Sequence, residues 1–169
     1  MKVAVIGSGG REHALCLSLK NSKKIDEIFC IPGNAGTSRD TQNIEIDIDD
    51  FVKIKNFVLN KKIDLVIVGP EKPLVNGIVD YLEGYNIKVF GPNKLASQLE
   101  GSKIFTKKLC QKYKIPTANF GIFKSKKEAE KFLINSNFPL VVKADGLAAG
   151  KGVYICENKK QSSIAINEI

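Results

Sequence analysis

Short apolar, β-branched runs alternate with amphipathic stretches along the first ninety residues. The candidate strands are "KVAVIG" (2–7), "EIFCIP" (27–32), "NIEID" (43–47), "DLVIVG" (64–69) and "IKVFG" (87–91). Between them, apolar residues recur at helical spacing over about 11–21, 50–60, 74–84 and 93–99. The first and fourth runs are apolar throughout, which suits central strands buried on both faces of a parallel sheet. This alternation predicts a doubly wound α/β domain over residues 1–100.

Beyond residue 100 the pattern changes. "SKIFTKKLCQKY" predicts a helix from Ser102 to Tyr113, with Ser102 as its N-cap and Pro116 soon after its end. A strand-like "ANFGIFKS" follows, then a helix over about 125–135 and a strand "PLVVKA" (139–144). The glycine-rich "DGLAAGKG" leads into a strand "VYICE" (153–157), and a last helix covers about 161–169. Residues 101–169 thus form a second unit of different grammar.

Composition narrows the partners. The net charge is +8, but the cations are nearly all lysine, with arginine only at positions 11 and 39. Base reading and bidentate phosphate clamps favour arginine, and the lysine clusters lack interleaved aromatics, so nucleic acid is not the expected partner. An anionic small substrate fits better. No apolar run approaches the roughly 18 residues of a membrane helix, and "MKVAVIG" does not divide into signal-peptide regions. A cytoplasmic location is expected, with Cys16, Cys30, Cys110 and Cys156 as reduced, mostly buried thiols. No Cys or His spacing suggests a metal site.

Four motifs carry candidate chemistry. In "GSGGREHA" a strand passes through glycines into a helix, so free amides and the positive end of the helix dipole face an anion. A dinucleotide fingerprint needs a third glycine where Glu12 stands, and an acidic residue at the end of the second strand, where Cys30, Ile31 and Pro32 stand. A phosphate on a smaller molecule is the better match. Arg11 and Glu12 also read simply as a pair on the helix surface. The second motif, "PGNAGTS", forms a tight turn whose amides, with Asn34, Thr37 and Ser38, suit hydroxyl groups. In the third, "VGPEKPLVNG", Glu71 stands at the strand end, either as an acceptor for hydroxyls or an amine or as an early-helix acid. Strand ends at Gly7, Pro32-Gly33, Gly69-Pro70 and Gly91-Pro92 together outline one crevice.

The fourth motif is "VVKADGLAAGKGVYI". Five of the seven positions from Gly146 to Gly152 are Gly or Ala, which lets backbone amides approach a polyphosphate while Lys143 and Lys151 supply charge. It departs from the Walker pattern, because Gly152 takes the Ser/Thr place and a strand follows. The plain alternative is a glycine-rich hairpin.

Taken in order, "GSGGREHAL", "PGNAGT", "KIDLVIVGPEKPLV", "IKVFGP", "QLEGSKIFTK" and "PLVVKADGLAAGKGV" resemble the amino-terminal part of the phosphoribosylamine–glycine ligase family of ATP-grasp enzymes. The resemblance implies a Rossmann-like domain over 1–100 followed by the start of an ATP-grasp domain, including part of its lid, over 101–169. It implies that ATP converts the glycine carboxylate to an acyl phosphate, which the amine of 5-phosphoribosylamine attacks to give glycinamide ribonucleotide, ADP and phosphate. Gly9 and Gly10 would lie near the 5-phosphate, and Asn34, Gly36, Thr37 and Glu71 near the sugar. Lys103, Lys143, Gly146, Ala149, Gly150, Lys151 and Gly152 would contact ATP, with Ala149 to Gly152 closing as a lid. No residue of the chain is expected to act as a nucleophile. The residues that hold Mg2+ or Mn2+ are expected beyond Ile169, so the chain reads as a fragment without turnover of its own. The full-length form is expected to be monomeric, with no nucleic-acid or membrane partner. Other ATP-grasp enzymes, such as a formate-dependent transformylase or a carboxylase, share the glycine turn and lid but fit "PGNAGT" and "VGPEKPLV" less well. A non-catalytic phosphoribosyl- or nucleotide-binding module is the non-enzymatic alternative.

Overall fold

The computed structural model describes residues 1–148 and 150–169. They form two compact units, Met1–Gln98 and Leu99–Ile169. In the first, strands β1 (Lys2–Gly7), β2 (Glu27–Pro32), β3 (Gln42–Asn43), β4 (Leu65–Val68) and β5 (Val89–Phe90) form one sheet in the order β3-β2-β1-β4-β5. Every pairing is parallel. Helices α1 (Gly10–Lys20), α2 (Phe51–Lys61), α3 (Glu71–Asn76), α4 (Ile78–Glu83) and α5 (Lys94–Gly101) connect or follow the strands.

The period of two in the strands sorts the core into two layers. Ala4, Ile6, Phe29, Ile31, Val66 and Val68 face Ile54 and Val58 of α2 and Ile78, Val79 and Leu82 of α4. Val3, Val5, Ile28, Cys30 and Ile67 face the other way, against Cys16, Leu15 and Leu19 of α1. Helices therefore cover both faces, and the doubly wound arrangement read from the apolar runs is the one that forms. The hydrogen bond with Cys30, together with burial, pushes the Cys16 thiol well above its ordinary range, an inert setting for a thiol.

Several boundaries differ from the sequence pattern. The expected helix over 74–84 starts at Glu71 and is cut in two at Gly77, whose φ of +95° ends α3 and opens α4. The strand expected at 43–47 shrinks to Gln42–Asn43, although Ile44 and Ile46 still pack on the core. Thr37–Arg39 forms a 3-10 turn that the pattern did not show.

In the second unit α6 (Lys103–Lys112) is followed by α7 (Lys126–Leu133), an antiparallel hairpin of β6 (Leu140–Lys143) and β7 (Val153–Cys156), and α8 (Lys159–Glu168). Side-chain caps start three of these helices: Ser102 accepts from the Phe105 amide, Ser125 from Glu128 and Asn158 from Gln161. The strand expected in "ANFGIFKS" does not form: residues 118–125 carry no ladder, and among the described residues no third strand joins the hairpin. Register pairs Val141 with Ile155 and Lys143 with Val153, so these four share the exposed face of the hairpin. Among the described residues, no helix is long and apolar enough to cross a membrane.

Ile6 lies at the centre of the first unit and is wholly buried. Ile6→Ala should lower unfolding free energy by about 2–5 kcal/mol, measured by urea denaturation, with an unchanged midpoint excluding this packing scheme.

Candidate functional site

The chain runs outward through β2 and β3 on one side of β1 and through β4 and β5 on the other. The order therefore reverses between β1 and β4, and at such a switch point the carboxyl ends of the strands frame a crevice. Gly33 donates its amide to the Gly7 carbonyl at 3.1 Å, and Gly69 donates to Ile6 at 3.0 Å. Three of the four glycine or proline strand ends therefore meet. At the fourth, Gly91 follows β5 beside Val68 of β4, and a Cβ there would crowd Leu74 and Val79, so that glycine serves packing against α3 and α4.

Glu12 is the largest departure from expectation. It pairs with Arg11, whose Nε lies 3.7 Å from Oε1, but from a buried position, because it is only 4% exposed. Its Oε2 accepts from the Gly9 amide at 2.7 Å, and side chains on Gly7, Gly9 or Gly69 would collide with it. Its Oε1 is buried without a hydrogen-bond donor. Gly9, assigned to a phosphate from the motif, thus has its amide occupied, and the first-turn amides of Gly10 and Arg11 remain at the positive end of α1.

Arg11 was not singled out as a site residue, yet its guanidinium bridges two turns. It donates at 2.8 Å to the Gly69 carbonyl and at 2.8 Å to the Glu71 carboxylate. Glu71 is the first residue of α3, so the functional and the early-helix readings describe the same carboxylate. Its own backbone amide, and then Arg11, hold its carboxyl below the ordinary range.

The "PGNAGTS" loop is organised from within. Asn34 Oδ1 accepts from the Gly36 and Thr37 amides at 2.7 and 3.0 Å, and Nδ2 donates to the Ser8 carbonyl at 2.8 Å. Thr37 is wholly buried, and its hydroxyl lies among Asn34 and Asn43. Both side chains thereby set the loop's shape, and Gly36 lies against the ring of His13. Asn43 is a second residue that the motif did not reveal: it comes from β3 and donates to the Asn34 carbonyl at 2.8 Å.

In the second unit Lys103 donates to the Gly146 carbonyl at 2.8 Å. Asp145 accepts from the Ser102 hydroxyl at 3.0 Å and from the Ile104 amide at 3.1 Å, across the first turn of α6. Burial opposes ionisation of Asp145, but these donors outweigh it and its carboxyl titrates low. Nothing local marked this aspartate, since its partners lie 41 and 43 residues away. Gly146 and Gly150 adopt φ of +85° and +81°. At Gly152 a Cβ would meet those of Ala148 and Ala144, so the base of the loop is tight. Lys143 and Lys151 are exposed. The loop therefore is a glycine-rich hairpin carrying two lysines. Ala149, assigned to the lid, lies outside the described residues.

Among the described residues no three His, Cys, Asp or Glu side chains gather closely enough to hold a metal ion. These residues do not fit a magnesium site.

Residues 1–100 match the model of the phosphoribosylglycinamide synthetase N domain, and residues 101–169 match that of the phosphoribosylglycinamide synthetase ATP-grasp (A) domain. The chain belongs to the phosphoribosylglycinamide synthetase family. It is 50% identical to the phosphoribosylamine–glycine ligase of Caldanaerobacter subterraneus over 155 residues, covering 92% of this chain and 37% of that one. It is 46% identical to the Escherichia coli ligase, covering 100% of this chain and 40% of that one. The crystal structure of the Thermotoga maritima phosphoribosylamine–glycine ligase matches with a TM-score of 0.75 at 33% identity, over 97% of this chain and 38% of that one. An N5-carboxyaminoimidazole ribonucleotide synthetase from Thermus thermophilus shares the fold at a TM-score of 0.72 and 17% identity, over 98% of this chain and 43% of that one. The chain thus spans about two fifths of the length of these relatives.

The Arg11–Glu71 pair carries a pH signature. Because the folded-state value of Glu71 is lowered, its contribution to stability is present above the unfolded carboxyl range and is lost as pH falls through the folded value. Arg11→Met should raise the Glu71 titration midpoint, followed by carboxyl NMR, toward the ordinary 4.5. Its stability deficit at neutral pH should fade on acidification. An unmoved midpoint would leave the amide of Glu71 as the sole cause.

Proposed function

We propose that the chain is the amino-terminal part of an ATP-dependent ligase that joins glycine to 5-phosphoribosylamine. The observation that carries the reading is the ordered match of both units to the two domains of one synthetase family, supported by 46% identity to a named ligase across the whole chain. The overall reaction transfers the terminal phosphoryl group of ATP to the glycine carboxylate. The amine nitrogen of phosphoribosylamine then attacks the acyl carbon, releasing phosphate and leaving glycinamide ribonucleotide and ADP.

Residues 1–100 take the phosphoribosylamine. The amides at Gly10 and Arg11 receive the 5-phosphate, with Gly9 holding the turn through Glu12. The loop shaped by Asn34 and Thr37 presents Gly36 toward the sugar, and Glu71, kept ionised by its own backbone amide and Arg11, accepts from sugar hydroxyls or the amine. Residues 101–169 begin the ATP-binding part. Lys143 and Lys151 supply positive charge to the phosphates, Gly146, Gly150 and Gly152 allow close backbone approach, and Lys103 reaches the nucleotide after leaving the Gly146 carbonyl. Mg2+ or Mn2+ assists in the family's chemistry, held by residues outside those described. Catalysis on this scheme is positioning and charge neutralisation, with no covalent enzyme intermediate.

The test is a chimera in which this chain replaces the matched segment of the Escherichia coli ligase. ADP release should require glycine and phosphoribosylamine together, and Lys143→Met should raise the KM for ATP about tenfold or more. The 169-residue chain alone should show no glycine-dependent ADP release. Activity with formate or bicarbonate in place of glycine would overturn the assignment.

A further inference from the structure

The same glycine turn that would accept the sugar phosphate also bears the mark of a selectivity device. A dinucleotide turn uses its second glycine to bring the backbone against a pyrophosphate, and its third to let the helix pack closely on the strand. Here Gly9 is that second glycine, and its amide is held at 2.7 Å by Glu12 Oε2. Glu12 stands in the third position, and its side chain fills the space bounded by Gly7, Gly9 and Gly69. The residue is 4% exposed, and Oε1 accepts no hydrogen bond, with Arg11 Nε 3.7 Å away as its sole ion-pair partner among the described residues. A buried carboxylate oxygen that accepts no hydrogen bond is costly, and a packing role would be served as well by an apolar side chain. That cost points to work done by the oxygen at Gly9.

We infer that Glu12 is the positioning residue that makes this turn select a single phosphate monoester over a diphosphate. By occupying the Gly9 amide it leaves the adjacent amides of Gly10 and Arg11 as the socket, enough for one phosphate group. By filling the gap beneath the turn it denies the second phosphate its approach. The inference rests on the phosphoribosyl reading for the identity of the monoester, but the anchoring of Gly9 stands apart from it.

The experiment uses the 169-residue chain, with ribose 5-phosphate and ADP-ribose as probes in calorimetry and amide exchange followed by NMR. In the unsubstituted chain the Gly9 amide should exchange far more slowly than that of Gly10. Glu12→Ala should abolish this protection and lower the affinity ratio of ribose 5-phosphate to ADP-ribose about tenfold or more, whereas Glu12→Gln, which keeps an oxygen for Gly9, should hold the ratio within about threefold. The ratio does not depend on the folded fraction, so a merely structural residue would leave it unmoved. An unchanged ratio in Glu12→Ala, or a ratio lost in Glu12→Gln, overturns the inference. If Glu12→Ala does not fold, Glu12→Gln and the Gly9 exchange decide. Should the unsubstituted chain bind neither probe, the phosphoribosyl reading fails. In that case protection of Gly9 that is lost in Glu12→Ala supports the anchor, and Gly9 exchange as fast as Gly10 refutes it.

Discussion

Everything at the switch point rests on one carboxylate set beneath glycines. Glu12 is drawn under the turn because Gly9, as N-cap, has no side chain to offer its own helix, and the glutamate at the third helical position supplies the reciprocal half of a capping box instead. That single contact fixes the direction of α1 as it leaves β1, and thus where its first free amides point. It also explains the glycines at the ends of two different strands, since a Cβ at Gly7 or at Gly69 would occupy the volume of the same side chain. Arg11, the neighbour of Glu12, then ties the second of those strand ends to the helix through Gly69 and Glu71.

The second unit solves a similar problem by another route. Its α6 begins with a conventional serine cap, and a second acceptor, Asp145, arrives from the hairpin to share the same first turn. With Lys103 bound to the next carbonyl, at Gly146, helix start and hairpin loop form one hydrogen-bonded cluster. Displacing Lys103 from Gly146 would break into that cluster, so the start of α6 and the hairpin loop share the same contacts.

The sheet was legible in the sequence because strands buried on both faces leave continuous apolar runs, as "KVAVIG" and "DLVIVG" do. The edges were not: Gln42–Asn43 is too short and too polar to leave a periodic trace. A glycine inside an otherwise helical run at position 77 announced its break only through its backbone angle. In "ANFGIFKS" the residue types suited a strand, but a strand needs a neighbour, and a sequence window carries no information about one. At the site, the motifs located the turns, while the residues that connect one turn to another escaped notice. Arg11 and Asp145 act on partners far along the chain, and Asn43 reaches back from β3 to Asn34 and Thr37 in the preceding loop. Glu12 was noticed as a missing glycine, and only the fold shows the carboxylate as an anchor.

The strand order has a bearing on synthesis. β1 is flanked by β2 and β4, and Gly7, Asn34, Asn43, Gly69 and Glu71 at the crevice all come from the first unit. Domains fold as units while a chain emerges from the ribosome, with the amino-terminal part first. These five residues are therefore all present in the nascent chain once α3 has emerged, while the lysine-bearing hairpin is still to be translated.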